Sequence, residues 1–378
     1  MFSRLTDLSN HFTAFGGSDL NDKGVVAFSA AKASSQLTGI YTSNGKKITP
    51  VVEADRLPSL FADAQVQNAP ADAPKTYSFG NGVEINNKGD VLFEAKLTLP
   101  DSRMYQSVVD RLFLKHGNTF TTVAETRGDQ TPSSISNITT YTGFDLNDRD
   151  QVVYAIENRV VDRHSFTAVY FNGQLIGGGN DFGGPVRFVY NPVINNQGTV
   201  FFAQRGTSSE GLPETQTTNI VRLDPGATQP VPVWNQPLHV GSFAVNDAGT
   251  IIFSGSLSSG ESGLFQINAN TIKNLGAPTA TEFINNRGTI AFQPSQSDPA
   301  PGIFVHSGSK STAVITPGDV LFGSTVSTVQ LSGLNDKGQI AFTAQFADGT
   351  VGIFRADSEK SKSNKKELTY VGADLIEA

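Results

Sequence analysis

The chain has 378 residues, a formal net charge of −7 and no cysteine, so disulfides, thiolate metal sites, Fe–S clusters and a cysteine nucleophile are excluded. The acidic balance argues against nucleic acid, which needs a concentrated basic surface, and no apolar run reaches the roughly 18–20 residues of a membrane-spanning helix. Glycine is abundant (37), Phe outnumbers Met by 26 to 2 and charged residues make up only 17%; this mix favours many short strands joined by turns over helical bundles.

The first segment, "MFSRLTDLSNHF", has no apolar h-region of a signal peptide. It leads into "LNDKGVVAFSA" (20–30), and that stretch recurs along the chain. The copies are "EINNKGDVLFEA" (84–95), "DLNDRDQVVYAI" (145–156), "VINNQGTVFFAQ" (193–204), "AVNDAGTIIFSG" (244–255), "FINNRGTIAFQP" (283–294) and "GLNDKGQIAFTA" (333–344). With the first they make seven, led by Asn21, Asn86, Asn147, Asn195, Asn246, Asn285 and Asn335 at spacings of 65, 61, 48, 51, 39 and 50 residues.

Each motif position has a physical reading. The residue before the Asn is always aliphatic, and the Asn side chain can bond backbone amides two residues on, closing an Asx-type turn. Three residues later stands Gly in six copies and Asp150 in the third. A type I turn followed by a left-handed residue calls for Gly there, or for one of the few residue types that tolerate that region. Val or Ile follows at the fifth position after the Asn and Phe or Tyr at the seventh, on one strand face. The position between is also apolar, so both faces of the strand are expected to be buried. Further on come an aliphatic–aromatic pair such as "GIY" (39–41), "RLF" (111–113) or "GIF" (352–354), a tight turn such as "SNG" (43–45), and a last strand such as "KITPVVE" (47–53). The fourth copy has "NIVRL" (219–223) in place of the aromatic pair.

Four antiparallel strands per repeat of about 50 residues predict an all-β fold, a seven-bladed β-propeller of four-stranded antiparallel blades forming a single domain over 1–378. The expected blades are 8–60, 76–130, 139–182, 186–236, 239–277, 279–318 and 325–376. The seventh takes its outer strand either from "KELTYVGADLI" (366–376) or from "MFSRLTDL" at the start.

The N-x-x-G-x-[VI]-x-F pattern, seven times over essentially the whole chain, resembles the bacterial NxxGxxAF tandem-repeat proteins. The turn is also similar to the S-P-D-G-x-x-[IL]-A-F turn of TolB-like propellers. The first resemblance implies an exported protein with a leader and a choice of C-terminal anchors, although this sequence begins without a leader and ends "DLIEA" without an anchor. Its motifs are structural, so it implies no catalytic residues.

Chemistry is therefore expected where the copies differ, in loops at one rim of the propeller. The long segments 55–78, 97–110, 157–165 and 205–218 belong to blades one to four. Arg103, Tyr105, Arg159, Arg163 and His164 are candidates for binding a carboxylate, phosphate or sugar, against the alternative of a solvated polar rim. Two residues before the motif Asn, three consecutive blades carry Asp19, Glu84 and Asp145. These carboxylates are candidates for a Ca²⁺ or Mg²⁺ site or for acid–base work, against the alternative that each caps backbone amides of a neighbouring blade. The five His have no zinc-ligand spacing, "GGGNDFGG" (177–184) precedes no helix, and the residue after the motif Asn alternates Asp and Asn along the chain.

Two functions are expected. The first is a monomeric binding or scaffolding propeller that meets a glycan, peptide or protein through the rim of blades one to four. The second is a hydrolase or lyase with its site at the channel mouth. The fold alone supports either.

Overall fold

The motif Asn organises the same turn in every copy. In the first, the Asn21 N–H donates to Val25 O (3.1 Å) and the Gly24 N–H donates back to Asn21 O (2.9 Å). The Asn21 Oδ1 accepts the N–H groups of Lys23 (3.1 Å) and Val25 (3.0 Å). Backbone groups that the tight turn would leave unpaired are thus satisfied locally. The motif glycines have φ from +75° at Gly288 to +97° at Gly89, and Asp150, standing in a glycine's place, has φ +61°. In the computed structural model the described residues are 1–6, 12–32, 36–64, 73–100, 106–130, 138–160, 164–180, 186–206, 218–234, 238–269, 271–276, 279–294, 302–308 and 310–358.

The strand after each turn is buried on both faces, as the pattern predicts. In the first copy Val26, Ala27 and Phe28 have no exposed surface, and Phe93, Phe202, Phe253 and Phe342 likewise. Each such Phe is worth about 1.5–3 kcal/mol of burial. The motif aromatic stacks on the aromatic of the next strand at ring-centroid distances of 5.8 Å (Phe28–Tyr41), 5.6 Å (Phe93–Phe113), 5.2 Å (Tyr154–Tyr170), 5.1 Å (Phe253–Phe265), 5.7 Å (Phe292–Phe304) and 5.8 Å (Phe342–Phe354). Most of these are directly opposed across the two strands, as Phe93↔Phe113 and Phe342↔Phe354 are. Cross-strand aromatic pairs of this kind add to burial. In the fourth copy Phe202 faces Val221 instead.

The sheets follow chain order. Phe12–Leu20, Val26–Lys32, Gly39–Ser43 and Ile48–Glu53 form one; Thr76–Ile85, Val91–Pro100, Gln106–His116 and Thr119–Gln130 the next; Ile138–Leu146, Val152–Val160, His164–Phe171 and Gln174–Asn180 the third. Strands of the fourth and fifth copies follow, with Thr218 opposite Leu238, and then Thr279–Ile284, Ile290–Pro294, Ile303–Ser307 and Lys310–Ile315. The chain is an all-β propeller of four-stranded antiparallel blades. In the last sheet Ser324–Leu334, Ile340–Phe346 and Val351–Ala356 are completed by Phe2–Arg4, with Phe2↔Ala356 and Arg4↔Phe354. The start of the chain thus supplies an outer strand, and the other candidate, 366–376, lies outside the described residues. The segment predicted as a long loop from residue 55 opens with a short 3-10 turn, Ala54–Arg56, and one α-helical turn, Leu57–Leu60, started by Pro58.

The chain divides into two compact units, one of residues 1–37, 41–50 and 241–378, the other of 38–40 and 51–240. Within each, neighbouring copies are tied by their motif Asn. In the first unit, Asn246 Nδ2 donates to Asn285 O (3.2 Å), Asn285 Nδ2 to Asn335 O (2.9 Å) and Asn335 Nδ2 to Asn21 O (2.9 Å). In the second, Asn86 donates to Asn147 O (3.3 Å) and Asn147 to Asn195 O (3.1 Å). One residue therefore serves two scales, its carbonyl oxygen building the turn and its amide joining the next copy.

The Asp/Asn alternation gains a physical account from the same turns. Asn286 Nδ2 donates to Asp247 Oδ2 (2.7 Å) and Asp336 Oδ2 (2.8 Å), while the Asp247 N–H donates to Asn286 Oδ1 (2.7 Å) and the Asn286 N–H to Asp336 Oδ1 (2.7 Å). An amide between two carboxylates gives each a donor and keeps like charges apart.

Candidate functional site

The sheet of the second copy departs from the common pattern. The even positions of Val91–Pro100 face the third copy, where Leu92 packs with Leu112, Leu146, Val152 and Tyr154. On that apolar face the next two even positions are Glu94 and Lys96, and Asp110 lies directly opposite Lys96 across the strands. Glu94 is 8% and Asp110 2% exposed. At the position of Glu94 the other copies carry Ser29, Ala155, Ala203, Ser254, Gln293 and Thr343, small or uncharged side chains that ask for no counter-charge.

The Lys96 ammonium joins the two acids, 2.8 Å from Glu94 Oε1 and 2.9 Å from Asp110 Oδ2. One cation shared by two carboxylates leaves the less hydrated one short of compensation. Burial, followed by the nearby Glu94 charge, pushes the Asp110 carboxyl up to about 8. Asp110 Oδ1 and the Tyr141 hydroxyl are closed to solvent and complete no hydrogen bond among the described residues. Burial, and after it the charge of Asp110, holds the tyrosine's ionisation above its ordinary range. Gly80 makes room for the cluster, because a Cβ there would lie 2.2 Å from Glu94 Oε2. The result is a carboxyl that changes charge near neutral pH beside an ammonium and a second carboxylate. Such a group can take up or release a proton.

Asp110 and Arg111 point to opposite faces of their strand. Arg111 is 3% exposed; its Nε donates to Glu125 Oε2 (2.7 Å), and Nη1 donates to Leu60 O (2.9 Å) and Asp63 Oδ1 (2.8 Å). Its guanidinium carbon lies 5.1 Å from the Phe61 ring centroid. Hydrogen bonding to Arg111, and after it the guanidinium charge, holds the Asp63 carboxyl below the usual carboxylate range. This fork holds the segment after Leu57–Leu60 against the sheet.

Of the residues the sequence singled out for ligand binding, Arg159 and His164 lie on the neighbouring strands Val152–Val160 and His164–Phe171, where Arg159 opposes Ser165 and Val160 opposes His164. Their side chains, and Arg103, Tyr105 and Arg163 entirely, lie outside the described residues. Of the carboxylates, Asp145 accepts the N–H groups of Leu146 on Oδ1 (2.8 Å) and of Ile194 in the next copy on Oδ2 (2.7 Å). Asp19 accepts the N–H of Leu20 (2.7 Å) and opposes Ala27, and Glu84 opposes Leu92. The Glu94–Lys96–Asp110 cluster was not anticipated. Its signal was present, since Glu94 is the one charged residue at its motif position.

The comparisons add little beyond this geometry. Residues 313–358 match the model of a family of unknown function, DUF7453, and no curated protein matches the chain. Solved structures similar in fold include the polysaccharide lyase Uly1 (9% identity, TM-score 0.46, 93% of this chain and 90% of that one). The Dos1 propeller has 9% identity and TM-score 0.41, covering 94% and 84%. TolB from Acinetobacter baumannii has 12% identity and TM-score 0.35, covering 78% and 86%.

Proposed function

We propose that the chain is a seven-bladed binding propeller of the NxxGxxAF tandem-repeat kind, which recognises a glycan, peptide or protein partner through the second and third copies. One observation carries this reading. Among the described residues, the buried Asp, Glu, Arg and His side chains are Asp90, Glu94, Asp110, Arg111, Glu282 and His306, and the first four belong to the second copy. Buried charge costs stability unless it is paired, and its gathering in one of several near-identical repeats is what a recognition site requires and a structural repeat does not. The candidates Arg103, Tyr105, Arg159, Arg163 and His164 come from the strands and loops of these same two copies.

The test is binding of the full chain to glycan and peptide arrays, repeated with Asp110→Asn, Lys96→Met and Arg159→Ala. Loss of a specific signal in variants that still unfold cooperatively supports the reading. Binding indifferent to all three substitutions overturns it. A second reading, a hydrolase or lyase at this place, is favoured by the Asp110 carboxyl at about 8 beside Glu94. It requires turnover of a bound ligand with a pH limb near that value, and a limb that disappears in Asp110→Asn.

A further inference from the structure

We infer that Asp90, His116 and Asp150 form a binding site for a divalent transition ion, Zn²⁺ or Mn²⁺, between the motif turns of the second and third copies. One ligand atom from each residue lies within 4.8 Å of the other two. Asp90, 4% exposed, has its Oδ1 2.8 Å from His116 Nδ1. Asn86 Nδ2 lies between the two acids, donating to Asp90 Oδ2 (3.3 Å) and to Asp150 Oδ1 (2.9 Å). Lys88 Nζ pairs with Asp150 Oδ2 at 2.6 Å from a half-exposed position. That ammonium is a removable counter-charge, and its charge is felt also at Asp90 and Asp148.

The sequence supplies a separate line of argument, because both acids break the repeat. At the position of Asp90 the other copies have Val25, Gln151, Thr199, Thr250, Thr289 and Gln339, none of them ionisable. At the position of Asp150 every other copy has glycine. Two independent departures, one in each of two neighbouring copies, meet at a single point together with an imidazole from the "HGN" hairpin. A frame with no ligand to hold has no use for that coincidence.

The donor set selects the ion. One imidazole nitrogen with two carboxylates suits Zn²⁺ or Mn²⁺ better than Ca²⁺, which takes six to eight oxygens. Three protein ligands leave further coordination positions, and the exposed His116 marks the solvent side. The ion ties two copies together at the opposite end of the strand from Lys96. This inference shares Asp90 with the recognition reading but rests on the geometry of Asp90, His116 and Asp150.

The experiment is calorimetric titration of the chelator-treated full chain with ZnCl₂, MnCl₂ and CaCl₂, with thermal melts alongside. Saturable one-to-one Zn²⁺ or Mn²⁺ binding that raises the melting temperature is expected, with Ca²⁺ weaker. His116→Ala and Asp150→Gly each weaken it by roughly tenfold or more, while His239→Ala does not. Asp150→Gly restores the residue of the other copies, so it removes the ligand without a foreign side chain. Should that variant fold poorly, the exposed His116→Ala decides alone. Absence of saturable binding up to about 1 mM, or binding that survives His116→Ala unchanged, overturns the proposal.

Discussion

The side-chain amide of Asn335 donates to the backbone oxygen of Asn21, 2.9 Å away across 314 residues of chain. The same nitrogen donates to Gln339 Oε1 at 2.8 Å, and Asn335 Oδ1 accepts the N–H groups of Lys337 and Gln339. A turn residue that reads as local punctuation is thus also a long-range tie.

The two roles separate by substitution. Asn335→Asp keeps the accepting oxygen that closes the turn but sets a carboxylate oxygen against Asn21 O and Gln339 Oε1. It is expected to lower stability by about 2–4 kcal/mol, read in urea melts at pH 7, with part of the loss recovered near pH 4 as the new carboxyl regains a proton. A loss below about 0.5 kcal/mol would show that the tie across copies contributes nothing.

Asn286→Asp places four carboxylates in a row, Asp247, the new Asp, Asp336 and Asp22, whose Oδ1 accepts the Asp336 N–H. Because these groups are near the surface, the expected cost is only about 1 kcal/mol. It should shrink in 1 M NaCl, where the Debye length is about 3 Å. A cost independent of salt would assign the effect to lost hydrogen bonds instead of repulsion.

Asp110 governs a pH dependence whose sign is opposite to that of an ordinary ion-paired acid. Its folded carboxyl titrates near 8, whereas the unfolded one titrates near 3.9. Between those values the folded state holds one proton more, so stability falls as pH rises through the window. Lys96 offsets part of this, and a decline of about 1–3 kcal/mol between pH 5 and 8.5 is expected. Asp110→Asn, neutral at every pH, should flatten the curve and equal or exceed the parent at pH 8.5. A parent whose melting temperature rises over that range would mean that Asp110 is ionised.

Arg111→Lys tests the fork under the first inter-blade segment. Lysine keeps the charge but reaches one partner where Arg111 reaches Glu125, Asp63 and Leu60 O together. A loss of about 2–3 kcal/mol is expected, with faster amide exchange over residues 54–63 and unchanged protection at Phe342. Uniform exchange across the chain would instead assign Arg111 to global stability.

Much of the architecture was legible before any coordinates. The motif turn, the buried strand and the aromatic partner in "GIY", "RLF" and "GIF" depend on residues within about 35 positions of one another, and their physics is local. The missing aromatic pair of the fourth copy was equally visible, and Phe202 indeed faces Val221. The Glu94–Lys96–Asp110 cluster was not read, although aligning the copies isolates Glu94. Nothing local reports that Lys96 will reach both acids or that Gly80 leaves space for one of them.

The sequence by itself determined the repeat, the Asx turn and the two-sided burial of the motif strand, because a side chain's bond to its own turn and a period of two need no distant partner. Tertiary structure alone decided that Phe2–Arg4 pairs with Val351–Ala356, that Asn335 reaches Asn21, and that Asp90, His116 and Asp150 meet. Such contacts depend on how strands from different copies are set side by side, and the chain carries no local signal for that placement.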